Sequence, residues 1–166
     1  FYFHQARAVA LYTKLVQRKL ELETEVQKSF KPRYLPVGPN GGLFVPKVNR
    51  PKDGITEGAP FTKVALTPFN PGSRQHVARW LRMDHGWEPA EFTNDGHPTV
   101  DEDVISKLPF PEAAPLKEYF LVEKRIGQIA EGKEAWLRKV GKDGCMHGRV
   151  HPNKAVTGRM AHSGPN

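Results

Sequence analysis

The side chains best suited to chemistry in this 166-residue chain gather towards its end. Cys145, His147 and His151 stand at Cys-x-His-x-x-x-His spacing, with His162 further on. Thiolate and imidazole are common zinc ligands, and strand alternation puts the first three on one face provided that no bulge intervenes. A site built on paired thiolates needs a second cysteine, which the chain lacks, so histidines facing solvent or a ligand are the alternative. Asp101, Glu102 and Asp103 could hold a divalent cation. A helix N-terminus explains them without an ion, because the macrodipole favours acids in the first turn. No Gly-x-Ser-x-Gly elbow occurs, which leaves acyl transfer unsupported. The strongest signal is the stretch 155–166, where Arg159 stands between Gly158 and Met160-Ala161. A guanidinium on closely approached backbone offers a fixed fork of donors to acceptors on a nucleic-acid groove edge. Minor-groove acceptors are much alike across base pairs, so such a contact checks shape more than sequence.

The charge pattern suits the same class of partner. The net +7 divides into +2 over residues 1–30, +4 over 31–71, −4 over 72–115 and +5 over 116–166. An acidic middle between basic flanks fits a polyanion held by the flanks, with a mixed solvated surface as the alternative. A helix-turn-helix is disfavoured, since its second helix would fall at 101–108, the most acidic part of the chain, where phosphates are repelled. No apolar run approaches the ~18 residues of a membrane span. A single cysteine excludes an intramolecular disulfide. The apolar fraction of 38% predicts a thin core, given a typical value of about 45–50%. Thirty Gly and Pro residues predict long loops. The chain begins at Phe1 without methionine and stops in Gly164-Pro165-Asn166, so a piece of a longer protein is expected.

Positioning falls to a small set of elements. Ala8, Leu11, Tyr12, Leu15, Leu22 and Val26 recur at helical spacing, predicting a long amphipathic helix over 5–30 and one half of a helical hairpin. Eight of the fifteen prolines crowd residues 31–71, so regular helix is excluded there and only short edge strands, at 42–45 and 63–66, are expected. A segment this long is functional or mobile rather than a passive connection. Asn70-Pro71 reads as an N-cap and first helical position of a helix ending at Gly86. Asp101 opens a short helix to about Leu108, and Pro109, Pro111 and Pro115 then break the chain. A second strong helix is expected over 116–130, with Tyr119, Val122, Ile126 and Ile129 on one stripe, and a short one over 133–140. Asp143-Gly144 is a hairpin-type turn leading into irregular strands.

Several ordered motifs together make the chain resemble the A-family DNA polymerases, the DNA polymerase I type, and within them the replicative polymerases of T-seven-like podophages. They are Ala10-Leu11-Tyr12-x-Lys14-Leu15, Phe69-Asn70-Pro71-x-Ser73-Arg74-x-His76, Gly86-Trp87-x-Pro89, Lys124-Arg125-Ile126-Gly127-Gln128, Ala130-Glu131-Gly132, Ala135-Trp136-Leu137-Arg138 and His151-Pro152-Asn153-x-Ala155-Val156-Thr157-Gly158-Arg159, closed by Pro165-Asn166. The resemblance spreads over essentially the whole chain.

What the resemblance implies is an α+β, mainly α segment that is an incomplete domain. Residues 1–30 would be the first of two long antiparallel thumb helices, 31–71 a basic loop between them, 72–115 the thumb tip, 116–141 the second thumb helix region and 142–166 the first palm strands. Lys124 matches a lysine that contacts the template-primer backbone, with Arg125 and Gln128 on or near the same face. Arg159 matches the arginine that hydrogen-bonds the minor groove at the primer terminus, and Asn166 an asparagine near the template-primer. Thr157 and His162 are their neighbours. The partner implied is duplex template-primer DNA, and the 31–71 loop falls where this branch carries a thioredoxin-binding loop for its processivity factor. The parent would be a DNA-directed DNA polymerase acting with two magnesium ions (Mg2+), in the cytoplasm of an infected bacterial host. The metal ligands would lie outside this segment, which would bind DNA and catalyse nothing alone. The rival from another class is a free-standing, non-enzymatic nucleic-acid-binding module.

Overall fold

Long helices and a β-ribbon carry the architecture of the computed structural model, which describes residues 2–151 and 161–163. The fold is α+β and mainly α. Helix α1 (Gln5–Ser29) runs for 25 residues and buries Leu22 and Val26 fully, one helical turn apart. Phe30, just past its end, continues the stripe against Phe69, at 4.5 Å between ring centroids. Phe69 in turn meets Trp80 edge-on at 5.5 Å. These aromatics bring the two ends of the 31–71 segment back to one place.

Between those ends the Pro-rich segment is an antiparallel ribbon. Strand β1 (Arg33–Pro36) pairs with β4 (Val64–Thr67), from Arg33↔Thr67 to Pro36↔Val64. Further out, β2 (Leu43–Phe44) pairs with β3 (Phe61–Thr62), and Arg50 bridges Ile55 around the tip. Both expected edge strands are there, shifted by a residue or so, and two partner strands complete them. Prolines sit where a ribbon tolerates a missing donor. Pro36 ends β1, and Pro51 opens a 3₁₀ turn. Gly42 allows the crossing between the two strand pairs. Its φ is +81°, and a Cβ there would meet the Lys63 carbonyl oxygen at 2.7 Å.

Helix α2 (Arg74–His85) starts later than the Asn70-Pro71 signal implies. The Asn70 side-chain oxygen accepts from the Gly72 N–H at 2.9 Å, a local turn that keeps 71–72 out of the helix. Ser73 is the cap instead, accepting from the His76 N–H at 3.4 Å. The helix stops at Gly86, whose φ of +63° lets its N–H and that of Trp87 return to the Arg82 and Leu81 carbonyls. Asp101 caps α3 (Glu102–Ser106) by accepting from the Val104 N–H at 2.8 Å.

Helix α4 (Ala113–Ile126) begins three residues before the expected start, with Pro115 inside its first turn rather than before it. The N–H groups of a first turn have no intrahelical acceptor, so the proline loses nothing there. The helix continues as a π turn over Gly127–Glu131, and α5 is reduced to Trp136–Lys139. A turn with Gly144 at φ +73° joins Val140 to Met146, and the start of the chain docks on it, the Phe3 N–H donating to the Gly144 carbonyl at 3.0 Å. Strand β5 (Arg149–His151) pairs antiparallel with β6 (Ala161–Ser163).

Trp80, Leu81, Ile105, Leu116, Tyr119 and Ile126 join Leu22 and Val26 in one core where α1, α2, α3 and α4 meet. Trp80 is fully buried, and its indole N–H donates to the Lys31 carbonyl at 3.0 Å, tying α2 to the base of the ribbon.

Candidate nucleic-acid interface

Helices α1 and α4 lie antiparallel, because residues late in one meet residues early in the other. Tyr119 O–H donates to Glu23 at 3.2 Å, Arg18 donates twice to Glu118 at 2.7 and 2.8 Å, and Tyr12 O–H donates to Glu131 at 3.3 Å. Further contacts seat Glu123 between Lys19 of α1, at 3.9 Å, and Arg74 of α2, at 3.4 Å. Arg74 also stacks its guanidinium 3.4 Å from the centre of the Phe120 ring. Burial holds the Arg74 pKa below its ordinary value despite Glu123, and burial together with Glu123 and Glu23 pushes the Tyr119 hydroxyl well up.

These pairs sort the charges of α4 by face. Its acids Glu118 and Glu123 turn inward to cations on α1 and α2, while Lys117, Lys124 and Arg125 are exposed and form no ion pair among the described residues. Lys117 and Lys124 are seven residues apart, two helical turns, so they share a face with about 10 Å of rise between them. Leu121, at the turn between, is exposed too. Gln128 falls on the same stripe by position and is half-buried in the π turn. Arg125 stands about 100° round from Lys124 and donates to the Gln128 side-chain oxygen at 3.2 Å. Lys124 also lines a cleft with Arg74, Phe120 and the acids of α3.

Of the residues singled out from the sequence, Lys124, Arg125 and Gln128 therefore come together. Lys117 belongs with them without being singled out, and its i+7 spacing from Lys124 is the signal that could have found it. Thr157, Arg159 and Asn166 lie outside the described residues. His162 stands in β6 opposite Val150.

The Cys145 neighbourhood is a polar turn. Asp143 accepts from the Cys145 N–H at 3.0 Å and its other oxygen is 2.9 Å from His147 Nε2. Those two interactions, the backbone one first, hold the Asp143 carboxyl below its usual range. Among the described residues no three His, Cys, Asp or Glu side chains are placed to share a metal ion, the 101–103 acids included. Nor is any helix there long and apolar enough to cross a membrane.

No protein-family model matches the chain. It is 38% identical to the DNA-directed DNA polymerase of Enterobacteria phage T3 over 196 aligned positions, which cover 94% of this chain and 28% of that relative. The corresponding enzyme of Escherichia phage T7 is 37% identical over the same span. The aligned span exceeds the 166 residues of this chain, so at least 30 of its positions have no counterpart here. Over nearly its whole length, then, the chain is similar to less than a third of each of two phage DNA-directed DNA polymerases.

Proposed function

We propose that this chain is the thumb and palm edge of an A-family phage replicative DNA polymerase, and that its work is to hold duplex template-primer DNA. The observation that carries this reading is the outward cationic stripe of α4, on a chain similar over 94% of its length to two DNA-directed DNA polymerases. Cations on a rigid helix face neutralise phosphates without reading sequence, which suits an enzyme that must slide along any duplex. Lys117 and Lys124 would meet the backbone directly, with the Arg125–Gln128 pair beside them. Arg159 would donate to minor-groove acceptors at the primer end, flanked by Thr157, His162 and Asn166.

The parent enzyme would extend a primer by attack of its 3′-hydroxyl on a deoxynucleoside triphosphate. Two magnesium ions supply charge stabilisation in such a transfer. Their ligands would belong to other parts of the polymerase. The ribbon at 31–71 would be the docking place of a thioredoxin-like processivity factor. Its exposed Tyr34, Leu43, Val48, Val64 and Leu66 support a protein partner there.

Primer extension by the whole protein tests the reading. Extension of a paired primer should require template, deoxynucleoside triphosphates and magnesium, and Arg159→Ala should weaken it by about 1–3 kcal/mol, the scale of one good base-edge hydrogen-bonded pair. DNA binding with no extension would favour a non-enzymatic binding module instead.

A further inference from the structure

The 72–115 segment is acidic overall, yet one cleft on it is cationic. The cleft, of about 670 Å³, lies between α2 and the segment that follows it. Its helical wall presents Arg79 and Arg82, one turn apart and exposed, neither of which forms an ion pair among the described residues. They point away from the core because Val77, Trp80 and Leu81 take the opposite side of the helix. The facing wall is a short β-turn, with Phe92 bridging Pro98 and the Thr93 N–H donating to the His97 carbonyl at 2.8 Å. That turn holds out His97 and a Phe92 ring that is 60% exposed. Pro89 and Pro98 complete the apolar lining, and Glu88 is the one acid in it. The nearby Asp84 is already paired with Arg33.

We infer that this cleft binds a short stretch of single-stranded DNA, a base stacking on Phe92 while the flanking phosphates pair with Arg79 and Arg82. Two free guanidiniums and an exposed ring on a fixed support are the parts from which single-strand sites are built, a cationic track beside a stacking platform. A volume in the range of small-ligand sites accommodates one or two nucleotides. Duplex DNA keeps its bases stacked inside and cannot use the ring. The cleft is thus a second site, distinct from the α4 stripe and independent of whether that stripe holds duplex.

The test uses the whole protein and a fluorescently labelled dT6 oligonucleotide, with a matched version carrying one photoreactive 4-thiothymidine. Arg79→Ala/Arg82→Ala should weaken dT6 binding at least tenfold and lower its salt slope by about 1.4, two phosphates at ~0.7 each. Phe92→Ala should weaken it about fivefold or more. Neither variant should change primer-template duplex affinity beyond twofold, whereas Lys124→Ala should do the reverse. Irradiation should cross-link dT6 to peptides within residues 75–98. The inference is overturned by a double variant that binds dT6 within twofold of the unaltered protein, or that loses duplex affinity by the same factor. Cross-links confined to other peptides would overturn it, as would a hexaglutamate peptide that displaces dT6 as well as unlabelled dT6 does.

Discussion

Glu118 and Arg18 show how single residues set the charge of the exposed face. Two hydrogen bonds from the guanidinium hold the Glu118 carboxyl below its ordinary range. A depressed carboxylate contributes stability above its unfolded pKa and loses it as pH falls through the folded one. Glu118→Gln should therefore lower the melting temperature slightly at pH 7. The gap to the unaltered protein should close below about pH 4, as carboxylates protonate. Both side chains are largely solvated, so a small effect is expected. A gap unchanged from pH 7 to pH 3 would mean that the ion pair contributes nothing. At this scale the sequence is partly legible. Lys124 is named from it by its match to a motif of the family that the chain resembles, and Arg125 and Gln128 by lying on or near the same helical face. The inward turn of Glu118 and Glu123 cannot be read from it, because it depends on which faces of α1 and α2 pack against α4.

At the scale of elements the helices and two short strands are readable, and the pairing that makes a ribbon of the 31–71 segment is not. The α1 periodicity locates that helix to within a residue, and of its expected stripe Ala8, Leu22 and Val26 are buried while Leu11 is exposed. The ribbon's strand partners are separated by up to 34 positions, as in Arg33↔Thr67, and no local pattern reports such a pairing. Pro115 reads as a break in the sequence, yet a proline disrupts a helix interior and not its first turn. Asn70 and Ser73 are both good caps, and only the side-chain bond to Gly72 decides between them. Two substitutions test the elements. Gly42→Ala puts a methyl group against the Lys63 carbonyl in a left-handed conformation, so it should cost about 1–3 kcal/mol. It should loosen the ribbon while leaving α1 and α4 protected in hydrogen exchange. Trp80→Ala removes the fully buried indole that joins α2 to the ribbon base. It should cost about 3–5 kcal/mol by denaturant unfolding, and a loss below about 1 kcal/mol would contradict the packing described.

The whole molecule joins a packed helical body to an exposed ribbon, with Lys117 and Lys124 unpaired among the described residues on one face of α4 and Arg125 beside them. That distribution gives the uneven net charge a physical meaning. Glu118 and Glu123 of α4 pair with cations of α1 and α2, and Lys117, Lys124 and Arg125 are left without an ion pair among the described residues. The thin apolar fraction fits a core confined to the meeting of α1, α2, α3 and α4. Phosphate gripping by this face makes a quantitative demand. In the whole protein, the affinity for a primer-template duplex should fall with salt. Lys117→Ala/Lys124→Ala should reduce that slope by about two, close to one for each phosphate left without its lysine, and do so equally for unrelated duplex sequences. An unchanged slope in the double variant, with the fold intact, would contradict the assignment of α4 as the DNA-gripping face.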